Sequence, residues 1–270
     1  MASAPVAQTQ AQANPPARRP GQGVGNIVRF NWPFFALALG GAAGLLALLL
    51  SQSLPPLARL ALGGALAGLV VSTLVSLLVS AYVYDFSGLY RLDWLAGFVR
   101  PGGQLVSVNA GFDEASALLA ARFPTTQLTV LDFYDPARHT EPSIARARRA
   151  YPPYPGTLTA DPAALPLPTA SADTVLAMLA AHEVRDPAGR VVFFGELARV
   201  LRPGGQLVVV EHPRDAANFL AYNIGALHFH SRAAWLATFN GAGLRVRAER
   251  QHTPFMSIFI LERAADAVST

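Results

Sequence analysis

Several short segments of this chain place a glycine, carboxylates and histidines where small-molecule chemistry needs them. In Asn109-Ala110-Gly111-Phe112-Asp113-Glu114, the glycine lets backbone approach a ligand closely, and the amide groups of a following helix start can face it. Asp132 stands 21 residues beyond Gly111, an offset that suits a carboxylate accepting hydrogen bonds from ribose hydroxyls. Asp161 closes Leu158-Thr-Ala-Asp161, where it can contact a base. Taken singly, these acids have ordinary explanations: an N-cap for Asp113, turns for Asp135 and Asp161. Their recurrence in register after three successive strand-like segments favours a nucleoside site.

Histidines supply the second kind of chemistry. His182 and Glu183 follow a fourth apolar segment, and His212 follows a fifth. Histidine is the usual general base near neutral pH. His182 is therefore the first candidate for a base or acceptor-orienting group and His212 the second, with a hydrogen-bonded structural role competing for each. Asn218 to His230 is an apolar, aromatic connection that either covers an apolar acceptor or packs on the sheet. An extended segment sends His228 and His230 to opposite faces, which argues against a shared metal, and no metal is expected.

The elements that must hold these groups are clearest from Gly195 to Pro213. Leu197, Val200 and Leu201 fall at helical spacing, Pro203-Gly204-Gly205 stops the helix, and Leu207 to Val210 read as a buried strand. Uniformly apolar strands belong to parallel sheets covered on both faces. The pattern predicts strands at 104–109, 127–133, 155–160, 173–179, 206–212, 243–250 and 255–262. Helices are predicted at 113–123, 141–150, 188–201 and 231–241. Arg-Pro-Gly-Gly-Gln-Leu-Val occurs at both 100–106 and 202–208, as reused turn chemistry and not as a duplicated domain.

The first hundred residues differ in character. Residues 1–28, rich in Ala, Pro, Gln and Gly, are expected to be a disordered tail. The region 29–84 holds two apolar runs, about 32–50 and 60–83, joined by the short polar turn Ser51-Gln-Ser-Leu-Pro-Pro56. About 20 apolar residues span a bilayer core, so a transmembrane hairpin is expected. Residues 85–99 then form a juxtamembrane linker, 100–264 an α/β domain and 265–270 a tail. Gly40 with Gly44 and Gly64 with Gly68 have the spacing that lets helices approach. Tyr82, Tyr84, Tyr90 and Trp94 read as interfacial anchors, with core packing as the competing reading for the last two.

Arg18, Arg19 and Arg29 precede the first run, which favours a cytoplasmic position for both ends of an inner-membrane, multi-pass protein. Residues 1–84 hold four arginines and no acid, so the whole net charge of +4 sits there. The remainder is neutral, without the basic footprint of a nucleic-acid partner. The chain has no Cys, which excludes disulfides and thiolate metal sites.

From about residue 98 to 262 the chain resembles the class I S-adenosylmethionine-dependent methyltransferases. The most specific stretch runs from Leu165-Pro-Leu-Pro through Asp173 and the fourth strand to His182, followed by the helix and Pro-Gly-Gly turn. The resemblance implies a Rossmann-like seven-stranded sheet ending in a β-hairpin, S-adenosylmethionine as cofactor and methyl transfer as the reaction. It implies Asp132 for the ribose, Asp161 for the adenine and the Asn109-Ala110-Gly111 turn for the methionine end. Asp113, Phe133 and Leu179 complete the implied cofactor set. The family's first loop carries an acid and a Gly-x-Gly-x-Gly pattern. Ser107-Val-Asn109-Ala-Gly111-Phe-Asp113 keeps only the central glycine, leaving Asp113 or Glu114 to replace the missing carboxylate. Beside a membrane the expected acceptor is a lipophilic small molecule. The altered loop also admits a catalytically silent, membrane-tethered nucleotide-binding or scaffolding module.

Overall fold

Alternating apolar segments build one sheet in the computed structural model of the chain, which describes residues 18–51 and 54–268. The helices are α1 (Gln22–Phe30), α2 (Trp32–Ser51), α3 (Pro56–Ala81), α4 (Ser116–Arg122), α5 (Pro142–Ala150), α6 (Pro187–Val200), α7 (Ala216–Tyr222) and α8 (Arg232–Gly241). The strands are β1 (Gln104–Asn109), β2 (Gln127–Asp132), β3 (Leu158–Thr159), β4 (Ala172–Met178), β5 (Leu201–Glu211), β6 (Leu244–Thr253) and β7 (Met256–Arg263). Their order is β3-β2-β1-β4-β5-β7-β6. The first five run parallel, and β7 lies antiparallel between β5 and β6. Strand order reverses between β1 and β4. At such a reversal, ligands of open parallel sheets bind beyond the carboxyl ends.

Each face of the sheet is covered by a different part of the chain. Phe193, Phe194 and Leu197 of α6, with Trp235 and Phe239 of α8, bury against Val106, Val108 and Val209. The opposite face, including Leu105, Leu176, Val208, Ile258 and Ile260, is covered by Leu119 of α4 and by Val83, Leu89, Leu92, Leu95 and Val99. The expected juxtamembrane linker is thus core. It descends from α3 as a π-helical turn, Tyr82–Phe86, and two 3₁₀ segments, Leu89–Arg91 and Asp93–Phe98. Trp94 donates its indole N–H to the Leu89 carbonyl, and Tyr84 and Tyr90 bond within the domain, so only Tyr82 of the four aromatic anchors is exposed.

α2 and α3 pack on each other, touch α1 and, for α3, α7, and are otherwise largely exposed. Each is long and apolar enough to cross a membrane, and none of the most apolar stretch of either is buried. The Gly40, Gly44, Gly64 and Gly68 positions face open space, whereas Gly41 is the one set against Leu69. Residues 22–28, expected within the disordered tail, belong to α1, which runs on to Phe30; residues 1–17, and 52–53 of the predicted polar turn, lie outside the described residues. Order at α1 comes from partners distant in sequence. Asp85 accepts hydrogen bonds from the Gly23 and Val24 amides at 2.7 and 2.9 Å, neutralising the helix start. Gly23 is required there, because a Cβ would stand 2.4 Å from that of Tyr84.

Leu95 is fully buried, so Leu95→Ala should cost about 2–5 kcal/mol in urea unfolding. A chain starting at residue 100 should fail to fold cooperatively, since it strips one face of the sheet. Cooperative unfolding of that fragment would contradict the assignment of residues 83–99 to the core.

Candidate functional site

The carboxyl ends of β1 and β2 bring the first group together. Asn109 pairs with Asp132 in the ladder, and Gly111 takes φ +90° in the bend that follows. The Gly111 amide donates to Asn109 Oδ1 at 3.2 Å, while Asn109 Nδ2 is buried without a partner. Asp113 Oδ1 accepts from the Ala115 and Ser116 amides, forming the turn that leads into α4, whose N-cap is Ala115 and not Asp113; its Oδ2 is also buried and unpaired. A donor and an acceptor are thus left over at the bend, and a buried orphan is costly unless something fills it.

Asp132 is 5% exposed and already engaged. One oxygen accepts from the Tyr134 amide at 2.9 Å and the other is ion-paired with Arg148 of α5. The Tyr134 ring lies under the Arg148 guanidinium, 4.7 Å from its centroid, and stacks on His139 at 5.7 Å. That ring also covers the glycine, where a Cβ would meet it at 2.7 Å. The donor set therefore fits a nucleoside with an amino-acid end in kind: a diol-accepting carboxylate, a bend open to close approach, and unpaired polar atoms beside it. For Asp132 to take a diol, Arg148 and Tyr134 must swing aside.

The other predicted cofactor residues are spread more widely. Ala110 is buried beside the bend, but Phe133 points into the core against Phe193. Asp161 is exposed and caps its own turn through the Ala163 amide, the bland alternative. Leu179, half-buried, adopts φ +54° after β4, a costly conformation for a branched side chain. Glu114, the other proposed stand-in, accepts from Arg18, Gln22, Asn26 and Tyr90 and is committed to the N-terminal segment. Phe112 does not plug the bend from inside; it packs edge-on against Phe30 and Tyr151.

A second group forms beyond β4 and β5. Glu211, with no exposure, accepts from the His182 backbone amide and bonds His182 Nδ1 at 2.7 Å. Glu183 lies 3.3 Å from His182 Nε2, and His228 stands between Glu183 and Glu141 at 3.5 and 3.0 Å. Burial alone would lower the His182 imidazolium's pKa, but Glu211 and Glu183 outweigh it and raise it to about 10. Glu183 is held well below the usual carboxylate range: burial acts upward, and the two histidines overcome it. His182 therefore stands charged near neutral pH and donates hydrogen bonds, which favours the acceptor-orienting half of its expected role over the base. His230 faces Arg190 at 3.1 Å instead, and is pushed down to about 4 by burial and that cation.

His212 makes a third, separate arrangement. Its Nδ1–H donates to the Phe255 carbonyl at 2.7 Å, and Nε2 accepts from Tyr84 Oη at 2.9 Å. At 2% exposure and with both nitrogens occupied, it is structural, not a reachable base. Burial is the main cause that pushes its pKa down to about 4. Sequence reasoning missed Arg148, Tyr134 and Glu141. Arg148 sits in an arginine-rich helix that reads as a solvated face, and the others carry no spacing signal.

The pH dependence has a definite sign. Between about pH 4 and 6.5 the unfolded chain binds protons that folded His212 and His230 exclude, so stability falls as pH drops through that window. His182 is protonated in both states there and adds slope only above pH 6.5, where its contribution is lost as pH rises toward about 10. Urea unfolding should show His212→Gln losing about one proton's worth of the acid-side slope. An unchanged slope would place the His212 imidazole in solvent.

Residues 106–209 match the model of a family described as a methyltransferase domain. No curated protein matches the chain. Among solved structures, the pyocyanin biosynthetic protein PhzM is similar at 16% identity, over 70% of this chain and 58% of its own, with a TM-score of 0.50. An S-adenosylmethionine-dependent methyltransferase from Aquifex aeolicus is 16% identical over 70% of this chain and 97% of its own, with a TM-score of 0.48. One from Methanosarcina mazei is 15% identical over 63% and 97%, also at 0.48. The matched stretch runs from β1 to β5, and the sheet ends in the antiparallel hairpin the resemblance implied, so residues 106–209 match a methyltransferase domain within a Rossmann-like methyltransferase fold.

Proposed function

We propose that this chain is a membrane-anchored methyltransferase acting on a lipophilic small molecule. The observation that carries the reading is the pairing of Asp132 with the Gly111 bend at the reversal of strand order, inside the family-matched stretch. Asp132 would hold the ribose diol, and Asn109 and Asp113 the methionine end. Two long apolar helices support the anchor. The connection that begins with α7 touches α3 and leaves Phe219, Leu220, Ile224 and Leu227 exposed, while His228 at its end reaches Glu183. An apolar surface beside the acceptor side of the crevice suits an acceptor drawn from lipid.

Bound S-adenosylmethionine supplies a methyl group already activated on sulfur. The protein's share is placement, which contributes as much as about 7–11 kcal/mol in well-oriented systems. His182, held charged by Glu211 and Glu183, hydrogen-bonds and orients an acceptor atom that arrives already negative. His228 acts alongside it: burial would lower its pKa, but hydrogen bonds to Glu141 and Glu183 outweigh that and raise it. The site thus suits an acidic hydroxyl or a carbon acid that has lost its proton to water before the methyl is transferred, so no side chain has to take one.

A silent scaffold is the competing reading, favoured by the Arg148 and Tyr134 contacts that fill the cofactor's place. Titration with S-adenosylhomocysteine separates the two. We expect wild-type binding, at least tenfold weaker binding in Asp132→Ala and tighter binding in Arg148→Ala, which frees the carboxylate. No binding to either wild type or Arg148→Ala at millimolar ligand would leave the scaffold. A lipid extract from cells with and without the protein should differ by one methylene mass on one species.

A further inference from the structure

The geometry points to a divalent transition-metal site formed by His182, Glu183 and His228. The sequence reading weighed only the His228–His230 pair. The fold separates those two and sets His228 against His182 and Glu183 instead, with one ligand atom from each within 4.8 Å of the others. Glu183 Oε1 lies 3.3 Å from His182 Nε2 and 3.5 Å from His228 Nε2. Tetrahedral ligands at about 2.0–2.1 Å from a zinc-class ion stand about 3.3–3.4 Å apart. Two edges of the triangle thus already match those of a coordination tetrahedron, and the third lies within 4.8 Å.

The nitrogens turned away from this centre are held as metal-binding histidines require. His182 Nδ1 bonds buried Glu211 at 2.7 Å and His228 Nδ1 bonds Glu141 at 3.0 Å. A carboxylate on the far nitrogen fixes the ring and directs Nε2 to the metal. With neutral imidazoles, Glu141, Glu183 and Glu211 against Arg185 leave two negative charges for a divalent cation to neutralise. All three ligand residues are only partly buried, so a fourth position stays open. Nitrogen with a single carboxylate selects zinc, cobalt, nickel or iron over magnesium or calcium.

One group opposes the ion. The Arg185 guanidinium lies against both His228 ring nitrogens, the proposed ligand Nε2 included, and donates to the His228 carbonyl oxygen, so it must leave before Nε2 can bind an ion. Its side chain is 42% exposed and free to turn outward. An ion there would displace the proton from His182 Nε2, so the ion, and no longer an N–H of His182, would hold the acceptor's oxygen as an anion. That role rests on the methyltransferase reading; the binding of the ion does not.

The full-length protein, stripped with chelator, is titrated with cobalt(II) and followed by visible absorption. We expect one equivalent with the intense bands of a tetrahedral centre, displaced by zinc. His228→Ala should abolish them, Glu141→Gln should weaken binding about 10–100-fold, and Arg185→Ala, a surface change, should tighten it. Circular dichroism checks that each variant is folded. A spectrum like that of free aqueous cobalt in both wild type and Arg185→Ala would overturn the site, as would binding that folded His228→Ala leaves unchanged. Because the readout uses neither cofactor nor acceptor, its failure leaves the methyltransferase reading standing.

Discussion

A parallel sheet is apolar on both faces and cannot stand with one of them wet. In this chain that constraint is met on one side by α6 and α8, and on the other largely by residues 83–99, the continuation of α3. Burial of Val83, Leu89, Leu92 and Leu95 joins the second apolar helix to the sheet through core, without an independent tether. The position of β1 and β4, and so of every group at their carboxyl ends, follows from this cover.

Electrostatics then decides what those ends can do. Glu211 terminates β5 with no exposure, and a buried carboxylate needs a cationic or donor partner. His182 satisfies it, Glu183 holds the other side of the ring, and His228 extends the chain to Glu141. Asp132 meets the same demand through Arg148. Both carboxylates that matter for chemistry are therefore satisfied from within the protein, and any ligand competes with an existing partner. Asn109 and Asp113 are the opposite case, with polar atoms left open.

The sheet was largely legible because its strands are short apolar runs between glycine and proline turns. β1 matches the predicted span, β2 ends one residue earlier, and β4 and β7 are each shifted by one residue. β3 was overestimated: Tyr154 to Gly156 form a turn, and only Leu158–Thr159 pair with β2. β5 was underestimated, since pairing begins at Leu201 and passes through Gly204, whose φ of +72° keeps the turn in the strand. α1 could not be read, because Gly23, Gly25 and a polar stretch favour a tail until Asp85 and Glu114 supply partners far along the chain. The site divides in the same way. Asp132 and Gly111 came from local spacing. The environment of His182 depends on Glu211, and that of Asp132 on Arg148, which are long-range pairings that no window reveals.

The clasp at Glu114 has a mechanical consequence. Arg18, Gln22 and Asn26 precede the first apolar helix and grip this carboxylate, while Tyr90, after the second, grips the same group. Both ends of the helix pair are thus riveted to one loop beside the glycine bend. Swivelling of the pair about a single stalk is forbidden, and any push or tilt applied to those helices is delivered as torque on that loop.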